Sequence, residues 1–336
     1  MWRYVPNGLN RYFAGSIVLM LPVYLLKMIQ SPLLIVGYNR FEIAKQTLAW
    51  VKRSKPRKVY FAIDGPKTMA DNKQVTKVRD LYLNGISGAE CNYIINEYNK
   101  GPEKTISEAI STVLKEENRV VVLEDDVIAP NCFFYFVDEM LERYENDDRV
   151  AMITGSNFIN QSKDAGGDYF FAYCGSTLSG WATWRRAWEM FDLKESFQID
   201  RATLKRRFLL NRQINYYHRA FKVFSLLPSG SNTWDCCWQY ERIKNGKLSI
   251  IPAINLTSNI GEHGTHFNGA AFCHKTAMSK DFVVHEHPQL IECDQSWDTR
   301  LYELYLSSSL LNSALTNIEL ISRIRKIRNE YNRQGY

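Results

Sequence analysis

The chain has 336 residues, 45% apolar and 23% charged, which allows a buried core and excludes a disordered chain, a collagen-like repeat and a polytopic membrane protein. Seven cysteines, an odd number thinly spread, exclude a disulfide scaffold and predict a reducing, cytoplasmic setting. Lys and Arg outnumber Asp and Glu 42 to 36, a net +6 too small to indicate nucleic acid as a partner.

Residues 12–26 carry no charge and follow Arg3 and Arg11. The stretch resembles a signal segment or short anchor, but it contains Pro22 and is shorter than the roughly 18 apolar residues of a spanning helix. The run LLIV at 33–36 begins soon after Lys27, leaving no stem. Residues 1–31 are therefore expected to form a hydrophobic arm, packed or interfacial. LLIV at 33–36 reads as a buried strand, and 42–52 has helical spacing at Ile43, Leu48 and Val51. VYFAI at 59–63 is a second strand, stopped by Asp64-Gly65-Pro66, and 71–84 is a helix with Val75, Val78 and Leu81 inward. A third strand at 91–95, a helix ending at 116 and the strand VVVL at 120–123 follow. This alternation predicts an α/β fold whose parallel sheet is buried on both faces.

Further on, 131–145 reads as a helix, and 150–154, 170–173 and 248–251 as strands. QSKDAGGD at 161–168 and PSGSNT at 228–233 have loop compositions, the first suited to closing over a ligand. One domain at 32–290 is expected, with a nucleotide-binding half at 32–128 and an acceptor half at 129–290, followed by a helical basic tail at 291–336. The last sixteen residues carry five cations against one acid, Glu330. They suit either peripheral contact with an anionic membrane face or a solvated helix end.

VVVLEDDV at 120–127 carries the chemistry. Glu124, Asp125 and Asp126 follow four aliphatic residues, and open parallel sheets bind ligands outside the carboxyl ends of their strands. Three adjacent buried carboxylates repel one another and lose hydration, which a divalent cation relieves. Carboxylate oxygens select Mg²⁺ or Mn²⁺, ions that also take phosphate oxygens. Alternatively, the three acids sit exposed on a turn.

VVVLEDDVIAPNCFFYF at 120–136 resembles the metal-binding segment of GT-A glycosyltransferases, in particular the N-acetylglucosaminyltransferases that branch N-glycans and related bacterial family-2-like enzymes. LLIVGYNR at 33–40, AIDG at 62–65, TLSGWATWRRAWEMF at 177–191 and WDCCW at 234–238 resemble further segments of that family. The resemblance spans about residues 32–267 through short motifs. It implies the GT-A (nucleotide-diphospho-sugar transferase) fold, a Rossmann-like, mostly parallel sheet with helices on both faces. It further implies a UDP-sugar donor, a glycan or lipid-linked saccharide acceptor, and transfer with inversion. Asp126 would ligate the metal, Asp125 hold the ribose and Glu124 the donor sugar. Tyr38 and Arg40 would lie beside the nucleotide, Asp64 would accept from the uracil ring, and Asp235 would be the general base. Cys236 stands where the family often has its catalytic carboxylate, so either Asp235 takes that role or the base lies elsewhere. Asn99 and Lys100 stand where the family has a histidine near the base pocket.

Asp235 also fits a plain helix cap. Trp184, Trp188 and Phe191 share a helical face and read as core, whereas Trp181 at the Gly180 turn reads as an acceptor platform and Trp234 as either a second platform or core. Of the histidines in NIGEHGTHF at 259–267, His266 is expected to reach the metal or diphosphate. A sugar nucleotidyltransferase would share the fold and the acids, but no glycine-rich, Lys/Arg-bearing loop follows the first strand. A non-catalytic nucleotide-sugar binder is the other alternative, suggested by Cys236.

Overall fold

A computed structural model describes residues 28–159, 167–193, 197, 199–225, 234–261 and 277–307. The arm at 1–27, the loops at 161–166 and 228–233, His263, His266 and the tail beyond 307 lie outside the described residues. β1, Leu33–Gly37, is buried at every position. α1 (Phe41–Arg53) leads to β2 (Lys58–Ile63). α2 (Met69–Leu83) opens on a reciprocal Thr68–Asp71 cap, which supplies two of the backbone partners that a helix start lacks. β3 (Glu90–Ile95), α3 (Gly101–Glu116) and β4 (Arg119–Glu124) complete the first half.

The second half runs β5 (Val127–Ile128), α4 (Asn131–Arg143), β6 (Val150–Thr154), β7 (Tyr169–Ala172), β8 (Trp181–Trp184) and α5 (Arg185–Trp188). α6 (Arg201–Lys205), α7 (Asn211–Phe224), α8 (Trp234–Asn245), β9 (Leu248–Pro252) and β10 (Ser258–Asn259) follow. α9 (Gln295–Leu301) continues into a π-helical turn at Tyr302–Leu306.

The main sheet has eight strands in the order β3-β2-β1-β4-β8-β6-β9-β7. β3, β2, β1 and β4 are parallel, and β6 and β9 are parallel to each other. β8 lies antiparallel between β4 and β6, and β7 runs antiparallel on the edge. α1 and α2 pack together. The return from β3 across the sheet to β4 places α3 on the opposite face, as right-handed crossovers require, and there it meets α5 and α8. The fold is therefore α/β, a mostly parallel sheet flanked by helices.

Two apolar cores result. The larger surrounds β1, β2 and β4 and takes Phe133, Phe134 and Phe136 from α4. The smaller joins Phe208, Tyr217, Phe221 and Tyr240 to Trp297 of α9. Asp298 is buried there and accepts from the backbone N–H groups of Tyr173 (2.9 Å) and Cys174 (3.0 Å). Residues 293–302, grouped with the tail on sequence, thus pack into the body. The chain enters through Asp138 of α4, whose carboxylate accepts from Gln30 N and Ser31 N at 2.8 Å each. No described helix is long and apolar enough to cross a membrane.

The stretch 177–191 departs from expectation. Residues 181–184 form a strand paired on both sides, and α5 is a single turn. Burial between β4 and β6 overrides the helical spacing of the tryptophans. Trp184 and Trp188 are nevertheless buried, as their core reading requires.

Candidate active site

The acidic cluster sits where β4 ends. Glu124 is the last residue of β4 and pairs in register with Val36 of β1, so the three carboxyls emerge at the carboxyl edge of the parallel strands. Asp125 is fixed through its backbone carbonyl, which accepts from Thr47 Oγ1 of α1 (2.7 Å). Antiparallel pairing of β10 with β5 folds the 258–261 segment over the cluster, and Ile260 N donates to the carbonyl of Asp126 (2.8 Å). Asn259 Nδ2 then reaches both Asp126 Oδ1 (3.1 Å) and the carbonyl of Leu178 (2.9 Å), while its own Oδ1 accepts from Gly261 N (2.8 Å).

Arg40, at the start of α1, reaches across from the end of β1. Its Nη1 donates to Asp126 Oδ2 (2.9 Å) and its Nη2 to Asp125 Oδ1. Burial works against a charged guanidinium, but Asp125 and Asp126 outweigh it and hold Arg40 charged. Among the described residues one cation, Arg40, pairs with this cluster of three acids. Part of Glu124 reaches solvent, yet its carboxyl is desolvated and faces Asp126 and Asp125, which together push it up to about 8 despite Arg40. Asp125 is pushed up to about 6, by burial first and against the pull of Arg40. Its Oδ2 is buried with no hydrogen-bond partner among the described residues. Tyr82, wholly buried and within electrostatic reach of Asp125, Arg40 and Asp126, likewise leaves its hydroxyl without a described partner.

Asp235 lies in the first turn of α8. Its charge is close enough to Glu124 to raise that carboxyl further, so the two halves of the chain converge here. Burial raises the Asp235 carboxyl too, against hydrogen bonds from the backbone of Cys236 and its own N–H. Burial and the Asp235 charge push the Cys236 thiol far above its ordinary range, so it stays protonated and is no base at neutral pH.

Tyr38 borders the cluster, with its backbone favouring the charged form of Asp125 and its hydroxyl accepting from Lys67 N (3.2 Å). Asp64, expected to read uracil, is engaged otherwise. It is 4% exposed. Its Oδ1 accepts from Gly65 N (2.9 Å), Lys100 N (3.0 Å) and Asn96 Nδ2 (3.2 Å), and its Oδ2 from Gly101 N and Asn99 Nδ2 (3.0 Å each). Five donors fill what a carboxylate can accept, so Asp64 builds the loop between β3 and α3. Gly65 lets that loop close, since a Cβ there would meet the backbone of Tyr98 at 2.3 Å.

The tryptophans expected to face an acceptor are inside. Trp181 is 1% exposed and Trp234 6%. Trp181 stacks on Trp234 (5.9 Å between centroids, 25° between planes) and packs against Trp188 and Trp238. Neither ring is free to receive a sugar face, because both belong to the layer that seats α8 on the sheet.

Among the described residues no group of three or more His, Cys, Asp and Glu side chains stands ready as a metal-ligand set. The donors nevertheless fit a hard divalent ion: oxygens only, one of them an orphaned carboxylate oxygen, in a cluster whose carboxyls are raised by burial first and by one another. Asn259 and Tyr82 were not singled out on sequence. Asn259 belongs to a two-residue strand that pairs with the distant Val127 and Ile128, and Tyr82 reads as one more apolar helix position.

No family model and no curated protein matches the chain. Among solved structures it is similar to S. aureus TarS 1–349 (12% identity, 64% of this chain and 71% of that one, TM-score 0.37). It is also similar to the inositol-1-phosphate CTP transferase of T. maritima (10% identity, 69% and 89%, TM-score 0.37). HddC from Yersinia pseudotuberculosis complexed with GMP-PN is a third (7% identity, 47% and 78%, TM-score 0.29). Likenesses this distant carry no functional argument, which rests on the geometry of the site.

Proposed function

We propose that the protein is a glycosyltransferase moving a sugar from a nucleotide-sugar donor, UDP-linked, to a hydroxyl of a glycan or lipid-linked saccharide, with inversion. The observation that carries this reading is the meeting of Glu124, Asp125 and Asp126 at the end of β4 with Asp235 at the start of α8.

In this reading Tyr38 and the loop that Asp64 builds shape the base pocket. Asp125 and Asp126 would hold Mn²⁺ or Mg²⁺, which supplies positive charge beside a departing diphosphate. Glu124, crowded by Asp126 and Asp125 in the ligand-free cluster and relieved by the charge of a bound ion, would hold the donor-sugar hydroxyls. Asp235, raised by burial, is a stronger base than a solvated aspartate and removes the acceptor proton as the new bond forms.

Incubation with a panel of nucleotide sugars and Mn²⁺, reading free UDP, tests the scheme. Asp126→Asn should abolish turnover and metal-dependent UDP binding together, and full activity in that variant would sink the reading. Asp235→Asn should leave UDP affinity within about twofold and cut transfer by about 10²–10⁴-fold, whereas unchanged transfer moves the base elsewhere. Pyrophosphate release from a nucleoside triphosphate would instead mark a nucleotidyltransferase. Metal-dependent UDP binding with no turnover of any donor would mark a non-catalytic binder.

A further inference from the structure

The cluster already holds a cation, and it stands in the way. Both oxygens of Asp126 are engaged, Oδ2 by Arg40 Nη1 (2.9 Å) and Oδ1 by Asn259 Nδ2 (3.1 Å). The backbone of Gly261 closes over the same contact: a Cβ at 261 would stand 2.2 Å from Asp126 Oδ2 and 3.1 Å from Arg40 Nη1. Asp125 spends one oxygen on Arg40 and keeps the other buried and unpartnered among the described residues. The carboxylates are fixed, with side chains 3% and 9% exposed, while the Arg40 side chain is 25% exposed. The guanidinium is therefore the member with a route outward.

We propose that Arg40 is a resident counter-cation that must leave Asp126 before a divalent ion can enter, and that the diphosphate of the donor draws it away. The exchange rests on the donor reading above. A guanidinium and a divalent ion repel each other, so each weakens the other's hold on Asp126. A diphosphate offers Arg40 the paired oxygens that its planar fork accepts best. Arg40 exchanges carboxylate partners for phosphate partners, and the carboxylates exchange one positive charge for two. Nucleotide and metal then bind cooperatively, each tightening the other by the same factor. Once exchanged, Arg40 is a binding residue for the donor's diphosphate.

The test is Mn²⁺ uptake without turnover, measured as loss of the free-ion electron paramagnetic resonance signal for wild type and Arg40→Gln, with and without UDP. Wild type should bind Mn²⁺ weakly alone and tightly with UDP. Arg40→Gln should bind Mn²⁺ alone about tenfold more tightly and lose most of the UDP enhancement. Mn²⁺ affinity that is unchanged or weaker in Arg40→Gln, with the coupling intact in wild type, overturns the exchange and leaves the transferase reading standing. Absence of UDP-dependent Mn²⁺ uptake in wild type overturns both. Should Arg40→Gln fail to fold, Arg40→Lys decides. Its compact ammonium cannot hold both carboxylates, so it should raise Mn²⁺ affinity by an intermediate factor, and a wild-type value refutes the exchange.

Discussion

Asp64 illustrates how a recognisable residue is reassigned by its surroundings. A carboxylate just past the end of a buried strand is where a ligand-reading group is expected, and the sequence places it there correctly. Its five donors come from Gly65 and from positions 96–101, which only the pairing of β2 with β3 brings near. Asp64→Asn would turn one accepting oxygen into a donor facing other donors. We expect about 2–4 kcal/mol of lost stability in urea titration, with a base pocket disordered even in the folded fraction. A purely ligand-reading aspartate would instead weaken UDP binding at unchanged stability.

Among the elements, β1, β2 and β4 were legible because strands covered on both faces are continuous apolar runs. β8 was not, because a four-residue strand buried on both faces shows no alternation and its tryptophans recur at helical intervals. For residues 201–224 the sequence reading offered no element, although they form α6 and α7 and fill the second core. The acidic cluster was legible as a motif. Its lid, β10, was not, since a two-residue strand carries no periodicity. The aromatic layer gives the sharpest test: Trp181→Ala removes a wholly buried ring from between Trp234, Trp188 and Trp238. It should cost about 3–5 kcal/mol and lower Tm, whereas an exposed sugar platform would change only acceptor KM.

Taken over the described residues, four carboxyls sit above their ordinary values when folded: Glu124 at about 8, Asp125 at about 6, Asp298 at about 6, and Asp235, each driven first by burial. Through these groups the folded state binds more protons than the unfolded chain between about pH 4 and about pH 8, while His218, lowered first by burial, works the other way. The stability these carboxyls contribute is complete below their unfolded values and is lost as pH rises through the folded ones. We expect the urea midpoint of the ligand-free protein to fall across that window. Glu124→Gln, which fixes the neutral form, should flatten the upper part of the fall above about pH 6, while the part set by Asp125, Asp235 and Asp298 persists.

Trp181 is registered on Val122 of β4, two residues ahead of Glu124, and Trp234 immediately precedes Asp235. The thickness of two stacked indoles therefore acts as a spacer between the carboxyls contributed by the two halves of the chain. Thinning either ring lets α8 settle toward the sheet and narrows the gap, so the cleft would be resized by a residue that never meets its occupant.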